Sequence, residues 1–298
     1  MTDYGHDLLF GTFVTPTNDP VQHAVEQAVV ADRAGLDLVT FQDHPYVSTF
    51  SDTWTLITWA AARTERIHLT ANVTNLPLRP PAVLARSVAT ADLLSGGRIE
   101  LGLGAGGFWD GIEAMGGTRL TPGQSITALE EAVAIIRGLW DTGQRGGLTV
   151  PGTHHSVRGA RRGPAPAHHP GIWVGAYKPR ILRATGRVAD GWLPSAAYLG
   201  GGLGDLTEMN EHVDTGAAEA GRDPREIRRL LNVSGEFGST SRGFLQGPPD
   251  QWVEELTDIA LSHGTSAFVL ASDDTATTER FAAEVVPAVR EEVARERR

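Results

Sequence analysis

Residues 67–103 read IHLTANVTNLPLRPPAVLARSVATADLLSGGRIELGL, and the order of elements in that stretch decides the architecture. Ile67–Val73 has the short, largely apolar character of a buried strand, Pro81–Leu94 has helical spacing, and Arg98–Leu103 again reads as a strand. Two strands separated by one helix imply a parallel pair joined by a crossover. The same alternation extends in both directions. Strand-like runs at Leu8–Val14, Leu38–Gln42, Gly171–Gly175, Gly191–Pro194, Arg229–Ser234 and Ser266–Leu270 bring the set to eight. Helical runs follow them at Val21–Ala34, Asp52–Arg63, Gly123–Asp141, Pro179–Val188, Leu206–Ala220, Asp250–His263 and Thr275–Glu296.

About eight such units in 298 residues predict an α/β fold, a closed (β/α)8 TIM barrel, in preference to an open doubly wound sheet. No linker divides the chain, so residues 1–298 read as one domain. Gly143–Pro170 is rich in Gly, Pro and His and too long for a plain helix-to-strand connection. It predicts an insertion between strands four and five, with Leu148–Val150 pairing with His155–Val157 across Pro151-Gly152. Asp19-Pro20 predicts a helix N-cap followed by proline in the first turn, and Asp223-Pro224 a single turn before strand seven. Gly35 and Gly221 read as helix stops.

Composition narrows the function. There is no cysteine, which excludes disulfides and thiolate metal sites. A net charge of −10 argues against a nucleic-acid partner. No apolar run has membrane-spanning length, and MTDYGHDLLF lacks the basic-then-apolar order of a signal peptide. A cytoplasmic enzyme with neither membrane nor nucleic-acid partners is the expectation.

In a barrel of this kind the functional groups lie at the C-terminal ends of the strands. Those ends offer Phe13, Asp43-His44, Asn72-Val73-Thr74, Gly104-Ala105-Gly106 with Phe108 and Trp109, Gly175-Ala176-Tyr177, and Trp192. Aromatic and small residues with a few polar groups suit a planar, largely apolar ligand. Gly102, Gly104 and Gly107 match G-x-G-x-x-G, but without a second strand ending in an acid they read as small residues admitting a flat ligand, or as a tight loop. A helix opening at Pro179 beside Lys178 and Arg180 predicts a phosphate contact. His154-His155 and His168-His169 are adjacent pairs without a suitably spaced carboxylate, so they read as polar loop residues and no metal is expected. Gly200–Gly204 reads as a lid or linker. His44, at a strand end beside Asp43, is the candidate catalytic histidine.

Taken together, Asp43-His44, the run from Asn72 through LPLRPPAVLARSVATADLLSGGRIELGLGAGGF and the run IWVGAYKPRILRATGRVADGWLPS resemble the luciferase-like flavin- and F420-dependent oxidoreductases over nearly the whole chain. The resemblance implies coenzyme F420, or alternatively FMN, in the barrel mouth. With F420 the chemistry is hydride transfer to or from a small, mostly apolar substrate. With FMN it is a monooxygenase fed by a partner flavin reductase, and a non-catalytic flavin-binding protein is a further alternative. It also implies Asp43 and His44 as catalytic. Asp43, Asn72, Val73, Thr74, Gly104, Ala105, Gly106, Gly175, Ala176 and Tyr177 would touch the cofactor, and Phe13, His44, Phe108, Trp109 and Trp192 the substrate. A non-prolyl cis peptide is implied between Asn72 and Val73. Sugar-phosphate dehydrogenases of the family carry an acid where this chain has Gly107, which favours a less polar substrate. Asp110 and Glu113 are the substitutes nearest to hand. A homodimer through the helices after strands two and three is also implied, with Leu56, Trp59 and Ala60 at helical spacing.

Overall fold

The computed structural model describes residues 3–298. Its frame is a ring of parallel strands: β1 (Leu9–Val14), β2 (Leu38–Phe41), β3 (His68–Ala71), β4 (Thr74–Asn75) and β5 (Leu101–Gly104). A small antiparallel hairpin follows, β6 (Leu148–Val150) and β7 (Val157–Ala160). The ring resumes with β8 (Ile172–Val174), β9 (Gly191–Trp192) and β10 (Arg228–Val233), and ends, after the two-residue β11 (Glu236–Phe237) and β12 (Gln246–Gly247), at β13 (Ala267–Ala271). The order β3-β2-β1-β13-β10-β9-β8-β5-β4 is parallel throughout. A parallel bridge between Leu69 and Ile99 joins the two ends. β3 and β4 are therefore one barrel strand, interrupted at Asn72–Val73, whose peptide is cis.

The helices on the outside are α1 (His23–Ala34), α2 (Thr53–Ala61), α3 (Pro81–Ser95), α4 (Trp109–Ala114), α5 (Pro122–Trp140), α6 (Pro179–Val188), α7 (Asp205–Glu219), α8 (Pro249–His263), α9 (Thr275–Arg280) and α10 (Val286–Glu296). α5 starts on a capping box, Thr121 taking the N–H of Gln124 and Gln124 taking that of Thr121. α9 runs into α10 through a π-helical stretch, Phe281–Val285, placed just ahead of Pro287, which has no N–H to continue an α pattern.

Strand alternation produces two apolar layers. One cluster fills the barrel: Leu38, Trp173, Leu193, Leu230, Ala267 and Val269, with Leu9, Phe13 and Val73 against it. The larger one lies between strands and helices and includes Phe10, Phe41, Ile57, Leu101, Trp192 and Phe268. Buried on both sides, the strands are short apolar runs, as parallel strands are. Gly102 and Gly104 serve this packing. A Cβ on Gly102 would sit 2.0 Å from the Ala71 carbonyl oxygen, and one on Gly104 would sit 2.7 Å from Val73 Cγ2. These glycines of β5 thus make room for the interrupted strand beside them, in addition to any ligand.

Several boundaries differ from the sequence expectation. Asp19-Pro20 does not open α1. Its peptide is cis, the Asp19 N–H is taken by the Thr17 hydroxyl, and the helix begins at His23. The hairpin in 143–170 forms, but its second strand is Val157–Ala160, because Glu131 holds the backbone N–H groups of Thr153, His154 and His155 in the turn. Asp223 accepts from the Arg225 N–H and opens the short turn Pro224–Glu226, as its spacing implies. Gly35 and Gly221 have positive φ.

The base of the ring is fastened by carboxylates. Asp32, at the end of α1, accepts from Glu65, Arg66 and Ile67 N–H at 2.8, 3.1 and 2.9 Å, fixing the approach to β3. Asp37 accepts from Phe10, Asp92 from Ile99, Ala167 and His168, and Asp190 from Ile172. Burial alone would raise the Asp32 pKa, but the three backbone donors outweigh it and hold the carboxyl below its ordinary 3.8. A depressed folded-state pKa contributes stability above the unfolded value, and that stability is lost as pH falls through the folded one. Asp32→Ala is therefore expected to lower stability at neutral pH by about 1–3 kcal/mol, the cost of leaving buried donors unpaired. Thermal melts should show the gap from the unmodified chain narrowing below pH 3.8; a gap independent of pH would contradict this account.

Candidate functional site

The C-terminal rim of the ring opens into a cavity of about 480 Å³, within the range of small-molecule sites. Its walls come from the ends of most strands: Phe13 near the end of β1, Asp43 and His44 after β2, Asn72–Asn75 across the interrupted strand, Gly104 at the end of β5 with Ala105–Phe108 after it, Gly175 and Tyr177 after β8, Leu193 and Ser195 after β9, and Asn232 on β10.

Asp43 is buried, 3% exposed, and both its oxygens are in use. Arg79 clamps it with Nε at 2.7 Å and Nη2 at 2.8 Å, and the Asn75 N–H donates to it at 2.9 Å. Such a bidentate, charge-assisted pair fixes geometry more firmly than a single hydrogen bond. It ties the loop after β2 to the loop after β4. Arg79 reaches on to Asp52 at 3.1 Å, so it joins three segments of the rim.

His44 stands next to this clamp, half buried. Its Nδ1 is 2.7 Å from the Tyr46 hydroxyl, and its ring meets Phe108 edge-on at 5.3 Å and Phe50 at 6.4 Å. Burial among these rings pushes the imidazole pKa below 6.5, and the charge of Asp43 only partly offsets it. Burial, then Asp43, raises Tyr46, and burial raises Tyr177. Among the cavity-lining groups, His44 is thus the one poised to take up or release a proton near neutral pH.

The floor is a polar chain across the barrel. Asn72 Nδ2 donates to Asn232 Oδ1 at 2.7 Å and to the Thr40 hydroxyl at 3.1 Å, and Asn232 Nδ2 donates to Ser195 Oγ at 2.9 Å. The Ser195 N–H donates to the Tyr177 hydroxyl at 2.8 Å. Two buried side-chain atoms of lining residues, Thr74 Oγ1 and Asn75 Oδ1, have no protein partner. Unpaired polar atoms in a cavity are what a polar-edged ligand would satisfy.

Of the residues singled out from sequence, Phe13, Asp43, His44, Asn72, Val73, Thr74, Gly104, Ala105, Gly106, Phe108, Gly175 and Tyr177 line this cavity. Three others sit elsewhere. Trp192 is 1% exposed in the outer apolar layer, donating Nε1–H to the Ala176 carbonyl, and its neighbour Leu193 faces the cavity instead. Ala176 is buried in that same layer. Trp109 packs against Gly106 from outside and lines a shallow surface depression with Arg119. Asp110 and Glu113 are both paired with Arg119 on the surface. Sequence reasoning assigned no role to Tyr46, Asn75, Arg79, Ser195 or Asn232, although Asn75 and Ser195 stand at the ends of the third and sixth strands and Asn232 is a polar residue inside an apolar strand. His154 and His155 lie in the hairpin turn, whereas His168 meets Glu100 at the far rim. Residues 196–204 form two short turns, with exposed Tyr198 edge-on to Tyr177 at 5.8 Å. No helix among the described residues is long and apolar enough to cross a membrane.

Comparison with known proteins gives the same frame. A phthiodiolone/phenolphthiodiolone dimycocerosates ketoreductase of Mycobacterium kansasii is 35% identical over 218 residues, 72% of this chain and 54% of that protein. A 5,10-methylenetetrahydromethanopterin reductase of Methanolobus tindarius is 32% identical over 220 residues, 74% of this chain and 63% of the relative. The chain thus spans about half to three-fifths of the length of such relatives. Among solved structures, an F420-dependent secondary alcohol dehydrogenase in complex with an F420-acetone adduct superposes with a TM-score of 0.82 at 19% identity, covering 95% of this chain and 99% of its own, a likeness of fold. The family model for luciferase-like monooxygenases matches residues 8–240, from the first barrel strand to beyond β10, and the chain belongs to that family of enzymes.

Proposed function

We propose that the chain transfers hydride between deazaflavin coenzyme F420 and a small, mostly apolar organic substrate, and that His44 moves the accompanying proton. The observation that carries this reading is the pairing of His44, with its depressed pKa, with a cavity otherwise lined by aromatic, small and neutral polar groups. The family relatives support it, since two of them are named as reductases. Bound F420 would supply a hydride donor or acceptor that reacts poorly with oxygen, whereas bound FMN would supply oxygen activation with electrons from a partner reductase.

The residues present suit such a group. The unpartnered Thr74 Oγ1 and Asn75 Oδ1 would meet polar ring edges, and the backbone at Asn72–Val73 and Gly104–Gly106 would lie along the ligand. α6 has no side-chain cap at its N-terminus, and Tyr177 and Ile181 bring its first turn to the cavity, so its free N–H groups would hold a phosphate. Lys178 and Arg180 are exposed beside it.

His44 acts from a fixed position. The Tyr46 hydroxyl occupies Nδ1 and leaves Nε2 for the substrate oxygen. A hydroxyl both donates and accepts, so Tyr46 accommodates either tautomer. Nε2 then accepts the hydroxyl proton as an alcohol is oxidised, or donates one as a carbonyl is reduced. Asp43, with both oxygens held by Arg79 and Asn75, is a positioning residue that aims His44.

A second copy of the chain fits the groove between α2 and α3. Of the stripe singled out there, Leu56 and Ala60 belong to the core, while Trp59 is 52% exposed, near Val83 and Leu94 at 61% and 76%. Neighbouring exposed apolar side chains of this size suit a subunit contact.

Four measurements test these readings. Parallel fluorescence titrations with F420, FMN and reduced FMN should show F420 bound most tightly. Preference for reduced FMN would favour the monooxygenase, and binding of none would remove the cofactor reading. His44→Ala should keep cofactor affinity and lower turnover by about 10²–10⁴-fold. In the alcohol-oxidation direction the unmodified chain should lose kcat/KM on an acid limb centred below pH 6.5, as Nε2 becomes protonated, and that limb should vanish in His44→Ala. Trp59→Glu should convert a sedimenting dimer to monomer; a chain that is monomeric before substitution contradicts the assembly.

A further inference from the structure

At the rim opposite the cavity, three side chains from separate segments converge. His68 begins β3, Glu100 immediately precedes β5, and His168 lies shortly before β8, at the return of the 143–170 excursion. His68 Nδ1 and His168 Nε2 stand 3.0 and 3.3 Å from the same oxygen, Glu100 Oε1. One ligating atom from each residue lies within 4.8 Å of the other two. We propose that His68, Glu100 and His168 bind a divalent transition-metal ion of the zinc type, which fastens the excursion to the base of the barrel.

The separations suit a coordination shell. Metal–ligand bonds of about 2.0–2.1 Å in a tetrahedron put neighbouring ligand atoms roughly 3.3 Å apart. Two imidazoles and a carboxylate are a donor set that zinc accepts. The surrounding groups are arranged as supports. The Gly171 N–H takes Glu100 Oε2 and so leaves Oε1 to face both rings. Asp92, fully buried, grips the Ile99, Ala167 and His168 N–H groups. Its Oδ1 lies 2.9 Å from His168 Nδ1, out of line for a good hydrogen bond. A small ring rotation would make that nitrogen the donor to Asp92 while Nε2 faces the ion, the orientation common to metal-bound histidines.

Charge points the same way. A dication balances the Glu100 and Asp92 carboxylates with both imidazoles neutral. Neither nearby guanidinium hydrogen-bonds Glu100: Arg66 donates to the Asp32 carbonyl and Arg228 to the Asp7 carbonyl and Ser266, although the Arg228 charge lies within reach of Glu100. His68 and Glu100 also line a cavity of about 310 Å³, with room for water as a remaining ligand. In the metal-free chain Glu100, then Asp92, raises His168 to about 9, so a proton competes for the place and is released on binding.

The test uses the full chain, stripped with EDTA, dialysed and titrated with Zn²⁺. One ion per chain by elemental analysis, a raised Tm, and visible ligand-field bands on substitution with Co²⁺ are the expected results. His68→Ala and Glu100→Gln should each weaken binding at least about tenfold, and His155→Ala, outside the cluster, should leave it unchanged. Absence of a stoichiometric ion, or affinity in His68→Ala and Glu100→Gln equal to that of the unmodified chain, overturns the proposal. If a variant does not fold, the unmodified chain still decides, because Co²⁺ bound without ligand-field bands of nitrogen and oxygen coordination also overturns it.

Discussion

A closed ring of parallel strands sends every strand end to one rim and every strand start to the other. Both halves of this molecule follow from that constraint. At the first rim, residues distant in sequence, from Phe13 to Asn232, are delivered to one cavity without any local motif joining them. At the second, the returning chain segments must be fastened, and short acidic side chains do much of that work.

Within the upper rim, the Asp43–Arg79 clamp changes what the acid–histidine pair means. An acid beside a histidine at a strand end invites a reading in which both take part in chemistry. Here the acid is consumed by a guanidinium and a backbone N–H, and the histidine is turned instead toward a phenol and an aromatic wall. The depressed imidazole pKa follows from that wall more than from the neighbouring carboxylate. Strand placement, not pairing, is what gives His44 its candidacy.

The fold was legible in the sequence because short apolar strands and amphipathic helices leave period and punctuation behind. α6 occupies the residues its spacing implied, and the barrel strands fall within a few residues of expectation. The failures are equally physical. Asp19-Pro20 carries a cap signature, but Thr17 captures the backbone first. Trp192 was assigned to the cavity from its strand, whereas a one-residue alternation puts Leu193 there. Of the supporting residues of the site, Tyr46 went unassigned because residue type alone does not foretell its bond to His44 two positions back, and Arg79 and Ser195 because each acts through partners on other elements. For the same reason His168 looked like half of an adjacent pair, when its partners, Glu100 and His68, come from other segments.

The carboxylates at the base have a consequence for how this chain can vary. Asp32, Asp92 and Asp190 grip backbone N–H groups, which every residue except proline possesses. The grip itself is therefore indifferent to side chain: Glu65 and Ala167 can be exchanged and still be held, whereas Ile67 and Ile172 are fixed by their burial and His168 by the cluster it joins. Tolerance is asymmetric: the acid is confined to its identity, while the exposed positions it holds are free to drift, provided that proline stays out.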